Sequence, residues 1–173
     1  TPDELAQTAV VMAALPLHPR LAHMLLTAGR GAAPLAALTT DRDPLIGAPA
    51  DLTLRLGALA GRRSPHPARP EVLERLRAEA RRLERLAPPD AGLTPAQAAA
   101  RAFPDRLARR RPGDAPRYLL SGGRGAGLDP ADLLAGAEWL VAVDLDGGAG
   151  AEARIRQALP TTESEIRATL PDR

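Results

Sequence analysis

Leu73, Leu76, Ala80, Leu83 and Ala87 follow one another at spacings of three, four, three and four, with arginine and glutamate filling most positions between them. That period puts the apolar side chains on one stripe and predicts an amphipathic helix over 70–87. Pro70 suits its first turn, Pro88-Pro89 ends it, and Glu71 and Arg75 stand in the favourable i,i+4 order. Leu21, Met24, Leu25 and Ala28 predict a second one-sided helix, from Pro19 to a stop at Gly29. Residues 32–40 are apolar enough for a third, and Asp51 is placed to cap a fourth that ends near Gly61. Thr94-Pro95-Ala96-Gln97 is a capping box whose helix must stop before Pro104. A similar box, Thr1-Pro2-Asp3-Glu4, opens the chain, with Leu5, Ala9 and Met12 at helical spacing behind it. Between these elements, 42–49 reads as a loop and 62–70, with three prolines, as a linker.

After Pro104 the period shortens. Arg117-Tyr118-Leu119-Leu120 runs into the turn Gly122-Gly123, and 138–145 is rich in strand formers before Asp146-Gly147-Gly148. Residues 153–159 alternate enough for another strand, and 162–165 is a third capping box, for a short terminal helix. Short strands separated by glycine turns suggest a small antiparallel sheet, barrel-like in its grammar. The expected fold class is α+β, a helical bundle followed by a small antiparallel β unit, with the domains at 1–103 and 104–173.

Composition narrows the chemistry. The 173 residues are 45% hydrophobic and 25% charged, which is globular composition, but only 2% aromatic. The core must therefore be built from Leu, Ala, Val and Ile. There is no cysteine, so disulfides, thiolate metal sites and a cysteine nucleophile are excluded. No apolar run approaches a membrane span and no signal-peptide pattern is visible, so a cytoplasmic protein is expected. All 23 basic residues are arginine, which explains a pI near 10.2 at a formal charge of +2. Abundant Ala, Arg, Gly and Pro point to a GC-rich genome, so arginine content alone says little about nucleic acid. The missing lysine says more: a Walker A loop and Schiff-base chemistry both need one.

The distribution of charge matters as well. Residues 1–61 carry −1, residues 62–111 carry +7, and residues 112–173 carry −4. Within the basic middle, Arg106, Arg109, Arg110 and Arg111 put four guanidiniums into six positions. Such a cluster repels itself unless acids or an anionic partner compensate it, and the planar guanidinium fork matches phosphate. A charged, solvated edge strand is the competing reading. If these residues form a strand, Arg109 and Arg111 share one face with Leu107, and Arg106 and Arg110 share the other. Other constellations are empty of chemistry. His18, His23 and His66 lack metal-ligand spacing, Ser121 lacks a nucleophile elbow, and Asp144 with Asp146 reads as a solvated strand end. Gly122-Gly123-Arg124-Gly125-Ala126-Gly127 matches no phosphate loop and reads as a β-turn. Asp3-Glu4-Leu5-Ala6 lacks the histidine of a D-E-x-H box. No catalytic centre is visible.

Several longer segments carry a resemblance. Ala14-Leu15-Pro16-Leu17-His18-Pro19-Arg20-Leu21-Ala22-His23-Met24-Leu25 resembles the join between the winged-helix and ratchet-like helical domains of DExH/DEAH-box helicases. Arg42-Asp43-Pro44-Leu45 with Asp51-Leu52, Ala102-Phe103-Pro104-Asp105-Arg106-Leu107-Ala108-Arg109-Arg110-Arg111, Tyr118-Leu119-Leu120-Ser121-Gly122-Gly123-Arg124-Gly125-Ala126 and Glu138-Trp139-Leu140-Val141 resemble the HrpB-type bacterial branch. The matches keep their order along nearly the whole chain. The resemblance implies a piece of a longer ATP-dependent helicase: the winged-helix end and a ratchet-like helical domain over 1–103, then an OB-like domain over 104–173. It implies an accessory nucleic-acid channel over RecA-like motor domains that lie outside this chain. Its partners would be single-stranded nucleic acid, RNA ahead of DNA, and those motor domains in cis, with no membrane. ATP and Mg²⁺ would bind the motor, and no cofactor is expected in this chain, which has neither a Walker A lysine nor a D-E-x-H box. Arg106, Arg109, Arg110, Arg111 and Arg124 are the candidate nucleic-acid contacts. The alternative is a non-catalytic protein-interaction module whose arginines reflect genomic bias.

Overall fold

A computed structural model describes residues 2–3, 17–147 and 152–169. The helix expected behind Thr1 falls almost wholly outside the described residues. The next helix, α1 (Pro19–Ala28), begins at a proline, where a missing N–H costs nothing. His18 caps it, its Nδ1 accepting from Arg20 N at 3.2 Å. Gly29 follows with φ 82°, and a Cβ there would lie 2.0 Å from the Pro89 carbonyl oxygen. Only glycine lets these two turns touch. A 3-10 turn leads to α2 (Ala33–Leu38), and Asp51 caps α3 (Leu52–Leu59) by accepting from Thr53 N at 2.9 Å.

The long helix α4 (Pro70–Leu86) buries Val72, Leu73, Leu76, Ala80 and Leu83, as the three-four spacing requires. One detail differs. Arg75 does not close a local pair with Glu71 but bonds Asp41, 34 positions away, at 2.8 Å. A carboxylate held in place by the fold competes better than one on a freely rotating neighbour. The linker is likewise tied down. Leu45 and Ala68 form a bridge, and Arg69 donates to the Asp43 and Leu45 carbonyls at 2.7 and 3.0 Å. Helix α5 (Pro95–Ala102) has both bonds of its capping box and ends before Pro104. A terminal helix α6 (Glu163–Thr169) packs on it, where Gln97 donates to the Glu165 carbonyl at 3.1 Å.

The second half closes on itself. Strands β1 (Leu107–Arg110), β2 (Arg117–Leu120), β3 (Gly125–Gly127), β4 (Trp139–Asp146) and β5 (Glu152–Thr161) form a barrel in the order β1-β2-β3-β5-β4, with β4 pairing back onto β1. The sheet is not wholly antiparallel, because β3 and β5 run parallel. Nor is β1 an edge strand, since it pairs with β2 on one side and β4 on the other. Closure removes the edge that the charged-edge reading of the arginines needed.

Side chains alternate across the barrel wall. Ala108, Tyr118, Leu120, Ala126, Leu140, Ala142, Ala153 and Ile155 fill the inside. The Tyr118 hydroxyl donates to the Ala137 carbonyl at 2.6 Å, and burial pushes the phenol pKa up. Leu107, Val141, Val143 and Leu159 point outward and join the core of the helices. The barrel's outer wall therefore shares the apolar core of the helices, while its inside forms a second one. The segment before α3 makes a second junction: Asp51 bridges Ala158 in parallel, and Ala50 enters the barrel core. The Ala50 N–H donates to the Asp132 carboxylate at 2.8 Å, and its carbonyl accepts from Ala158 N at 3.0 Å.

Candidate nucleic-acid interface

The four clustered arginines separate. Arg106 lies in a 3-10 turn, not on a strand, and donates to the Val143 carbonyl at 2.6 Å. Its guanidinium also stands 4.9 Å from the Phe103 ring centre. Arg110 points to the mouth of the barrel and donates to the Ala135 and Gly113 carbonyls at 2.9 and 3.1 Å. Both guanidiniums donate to backbone carbonyls. Arg109 and Arg111 face solvent. Arg109 lies 5.2 Å over the Trp139 ring and 3.9 Å from the Glu138 carboxylate. Arg124 sits half-buried in the β2–β3 turn beside Gly147, at the other end of the strand pair from Arg111.

The outer wall of β1 and β2 brings in residues that sequence reasoning left apart. Arg109 is paired with Trp139 on one side and Leu119 on the other. One step along, Arg111 N donates to the Arg117 carbonyl at 2.7 Å, so Arg111 and Arg117 stand side by side. The alternation Arg117-Tyr118-Leu119-Leu120 marks 117 and 119 as outward positions, but only strand pairing shows which arginines they meet. The next strand presents Gly125 and Gly127 on this side. Arg117 is ion-paired with Glu152 across that glycine strip.

A second feature separates the helices from the barrel: a groove of about 1190 Å³. Its walls carry Asp41, Asp43, Asp129, Asp132, Asp144 and Asp146 against four arginines. Asp43 is the best held of these aspartates. Burial pushes its carboxyl pKa up, but bonds from Arg55 and the Leu45 N–H outweigh that and keep it below the ordinary value of 3.8. Arg55 is 2% exposed and donates to Asp43 Oδ2 at 2.8 Å, to the Asp51 carbonyl at 3.0 Å, and to the Pro49 carbonyl. The groove's aspartates outnumber its arginines and would repel phosphate. Among the described residues no group of three or more His, Cys, Asp or Glu side chains is arranged to hold a metal ion, and no lysine exists to grip a nucleotide phosphate. These residues do not fit ATP with Mg²⁺. No described helix is long and apolar enough to cross a membrane.

Comparison with known proteins adds what geometry cannot. The chain is 36% identical over 170 residues to the ATP-dependent RNA helicase HrpB of Escherichia coli (strain K12), a match covering 92% of this chain and 19% of that protein. The chain is homologous to HrpB. A crystal structure of the E. coli DExH-box NTPase HrpB superposes with a TM-score of 0.73 at 33% identity, over 95% of this chain and 20% of the solved one. A second structure, of the E. coli DEAH/RHA helicase HrpB, gives a TM-score of 0.67 at 31% identity, over 90% of this chain and 19% of that one. The chain thus spans about a fifth of the HrpB proteins it matches. No family model matches it.

The HrpB-like segments make physical sense together. Arg20, in the first of them, donates to Asp105, in the third, at 2.6 Å across 85 positions. It also lies 5.6 Å from the Phe103 ring, so two guanidiniums, those of Arg20 and Arg106, flank that ring. Asp105 is held below its ordinary pKa by Arg20 against the upward push of burial. Ser121 Oγ donates to the Pro104 carbonyl at 2.6 Å, and Gly122 N donates to that of Asp105 at 2.9 Å. Three of the HrpB-like segments thus meet at the joint between α1, α5 and the β2–β3 turn.

Proposed function

We propose that this chain is the accessory, nucleic-acid-handling part of an HrpB-type ATP-dependent RNA helicase. In this reading residues 1–103 comprise the end of a winged helix and a ratchet-like helical domain. Residues 104–173 form an OB-like barrel, a description that the strand order 1-2-3-5-4 supports. The carrying observation is the likeness to HrpB along 92% of the chain, in sequence and in fold. ATP and Mg²⁺ belong to RecA-like motor domains in cis. The chain's own part is to hold a single strand while the motor moves it, through backbone contacts that do not read sequence. Arg106 and Arg110 would brace that surface, Arg109 and Arg111 would touch phosphate, and Arg124 would contact the strand near the β2–β3 turn.

The test is a comparison of the parent helicase with and without the region corresponding to this chain. Removal should abolish unwinding of a tailed RNA duplex while the motor keeps basal ATP hydrolysis. Unchanged unwinding would overturn the reading and leave the chain as a protein-interaction module. The isolated chain should hydrolyse no ATP, since it lacks the lysine that stabilises the transferred phosphate.

A further inference from the structure

The open outer wall of the barrel joins three observations. Leu119 is an exposed large apolar side chain, 44% accessible, on a strand whose inward neighbours are fully packed. Trp139, the only tryptophan in the chain, is half-buried against the helical core and carries the Arg109 guanidinium 5.2 Å over its ring. Gly125 and Gly127 leave a side-chain-free strip along β3, where a Cβ at Gly127 would meet nothing closer than the Pro116 carbonyl oxygen at 3.9 Å. The bare strip has Arg117 and Leu119 of β2 on one side and Glu152 and Arg154 of β5 on the other, with Arg109 and Arg111 beyond β2, and it allows an extended polymer to lie close to the sheet. The wall's charge has the opposite sign to the groove's. The three arginines face Glu138 and Glu152, and Glu163 lies near enough to Arg109 to feel its field. Glu163 is itself engaged by Arg167 at 2.7 Å.

From this arrangement we infer that single-stranded nucleic acid binds along the outer wall of β1, β2 and β3, not in the large groove. Arg109, Arg111 and Arg117 take its phosphates. A base stacks on the open side of the Arg109 guanidinium, whose other side rests on Trp139, and Leu119 packs against the next base or sugar. Arg117 exchanges Glu152 for a phosphate on binding. The inference rests on the reading of the chain as a nucleic-acid-handling part of a helicase, and adds to it Arg117, Trp139 and Leu119, which the charge cluster alone does not contain.

The test uses the 173-residue chain and a labelled 20-nucleotide oligouridine, with anisotropy for affinity and Trp139 emission, excited at the red edge of the indole band, for location. At low salt, binding should be saturable and should change Trp139 emission with the same midpoint. The slope of log K against log salt should be about −2, from three contacts at roughly 0.7 each. R109A/R111A/R117A should bring that slope near zero and abolish the emission change, whereas R62A/R81A/R85A, with the same charge removed from other exposed positions, should do neither. Circular dichroism and a urea midpoint check that both variants fold. If the triple variant misfolds, L119D gives the same test without removing a cation, and should weaken binding at least tenfold. Equal loss in both triple variants would show diffuse attraction and overturn the site. Binding without a change in Trp139 emission would place the strand elsewhere, and no binding by the parent chain at low salt would also overturn it. None of these failures touches the unwinding comparison, which tests the parent reading separately.

Discussion

The barrel has two outer surfaces, one on β1, β4 and β5 and the other on β1, β2 and β3, and they are used in opposite ways. On one, Leu107, Val141, Val143 and Leu159 are covered by helices, and the adjoining junction is locked by Arg55, Asp43 and Ala50. On the other, Leu119, Arg109, Arg111 and Arg117 stand in water. Strand periodicity alone is blind to this difference, because outward positions look alike until something is packed on them. The covered surface should therefore govern stability and the open one should hardly affect it.

The largest effect should come from Arg55. Replacing it with alanine leaves the half-buried Asp43 without its ion-pair partner and frees the carbonyls of Ala48, Pro49 and Asp51, so R55A should lose about 3–5 kcal/mol. Urea unfolding checks this, and a loss under 1 kcal/mol would show that the junction is not where stability resides. Next, Leu159→Ala on the covered surface should cost about 2–5 kcal/mol through the cavity it opens. Its partner experiment, Leu119→Ala on the open surface, should stay within about 0.5 kcal/mol. Equal losses for the two would erase the distinction between the surfaces.

Acid should act through the covered side too. The Asp43 carboxyl has a folded pKa below its ordinary value of 3.8, so it binds a proton less readily folded than unfolded. Its contribution is thus present above the unfolded pKa and is lost as pH falls through the lower folded value. Asp41 and Asp105 are lowered in the same sense by Arg75 and Arg20, the latter against burial. Stability should therefore fall below about pH 4, and D43N should show a shallower acid limb than the parent. The smallest effect belongs to the surface pair Arg20–Asp105, both partners more than 40% exposed, where R20A should cost about 1 kcal/mol or less. A double-mutant cycle with D105A measures it.

The helices were largely legible because their determinants are local. Pro19, Asp51, Thr94 with Gln97, and the spacing from Leu73 to Leu83 each specify a start or a buried stripe within a few residues. The barrel was legible only as strands. No local signal shows that Leu107 will face Val141 or that β3 will lie parallel to β5, because such pairings depend on how distant segments close. The arginine cluster was divided by the same long-range geometry. Arg106 and Arg110 look identical to Arg109 in sequence, yet two of them reach carbonyls contributed by 143 and 135. Arg75 was misread for a related reason, since Asp41 is remote in sequence and near in space.

The insertion of Ala50 into the barrel has a kinetic meaning. Its contact with Asp132 spans 82 positions, so the strands close among themselves but the barrel core is completed by a residue from the helical half. Helices with local contacts can form quickly, but the Ala50 junction must wait for a long loop to close around most of the chain. Refolding should then proceed in two stages, early helix formation followed by slower barrel sealing, with Ala50 and Ala158 among the last residues to gain protection. Synthesis of residues 104–173 alone would yield strands that lack their plug, with the Ala158 N–H and the Asp132 carboxylate both seeking water. The change of secondary structure at 103–104 is thus crossed by the Ala50–Asp132 and Ala50–Ala158 bonds, and separating the two sides there would leave groups on each without their partners.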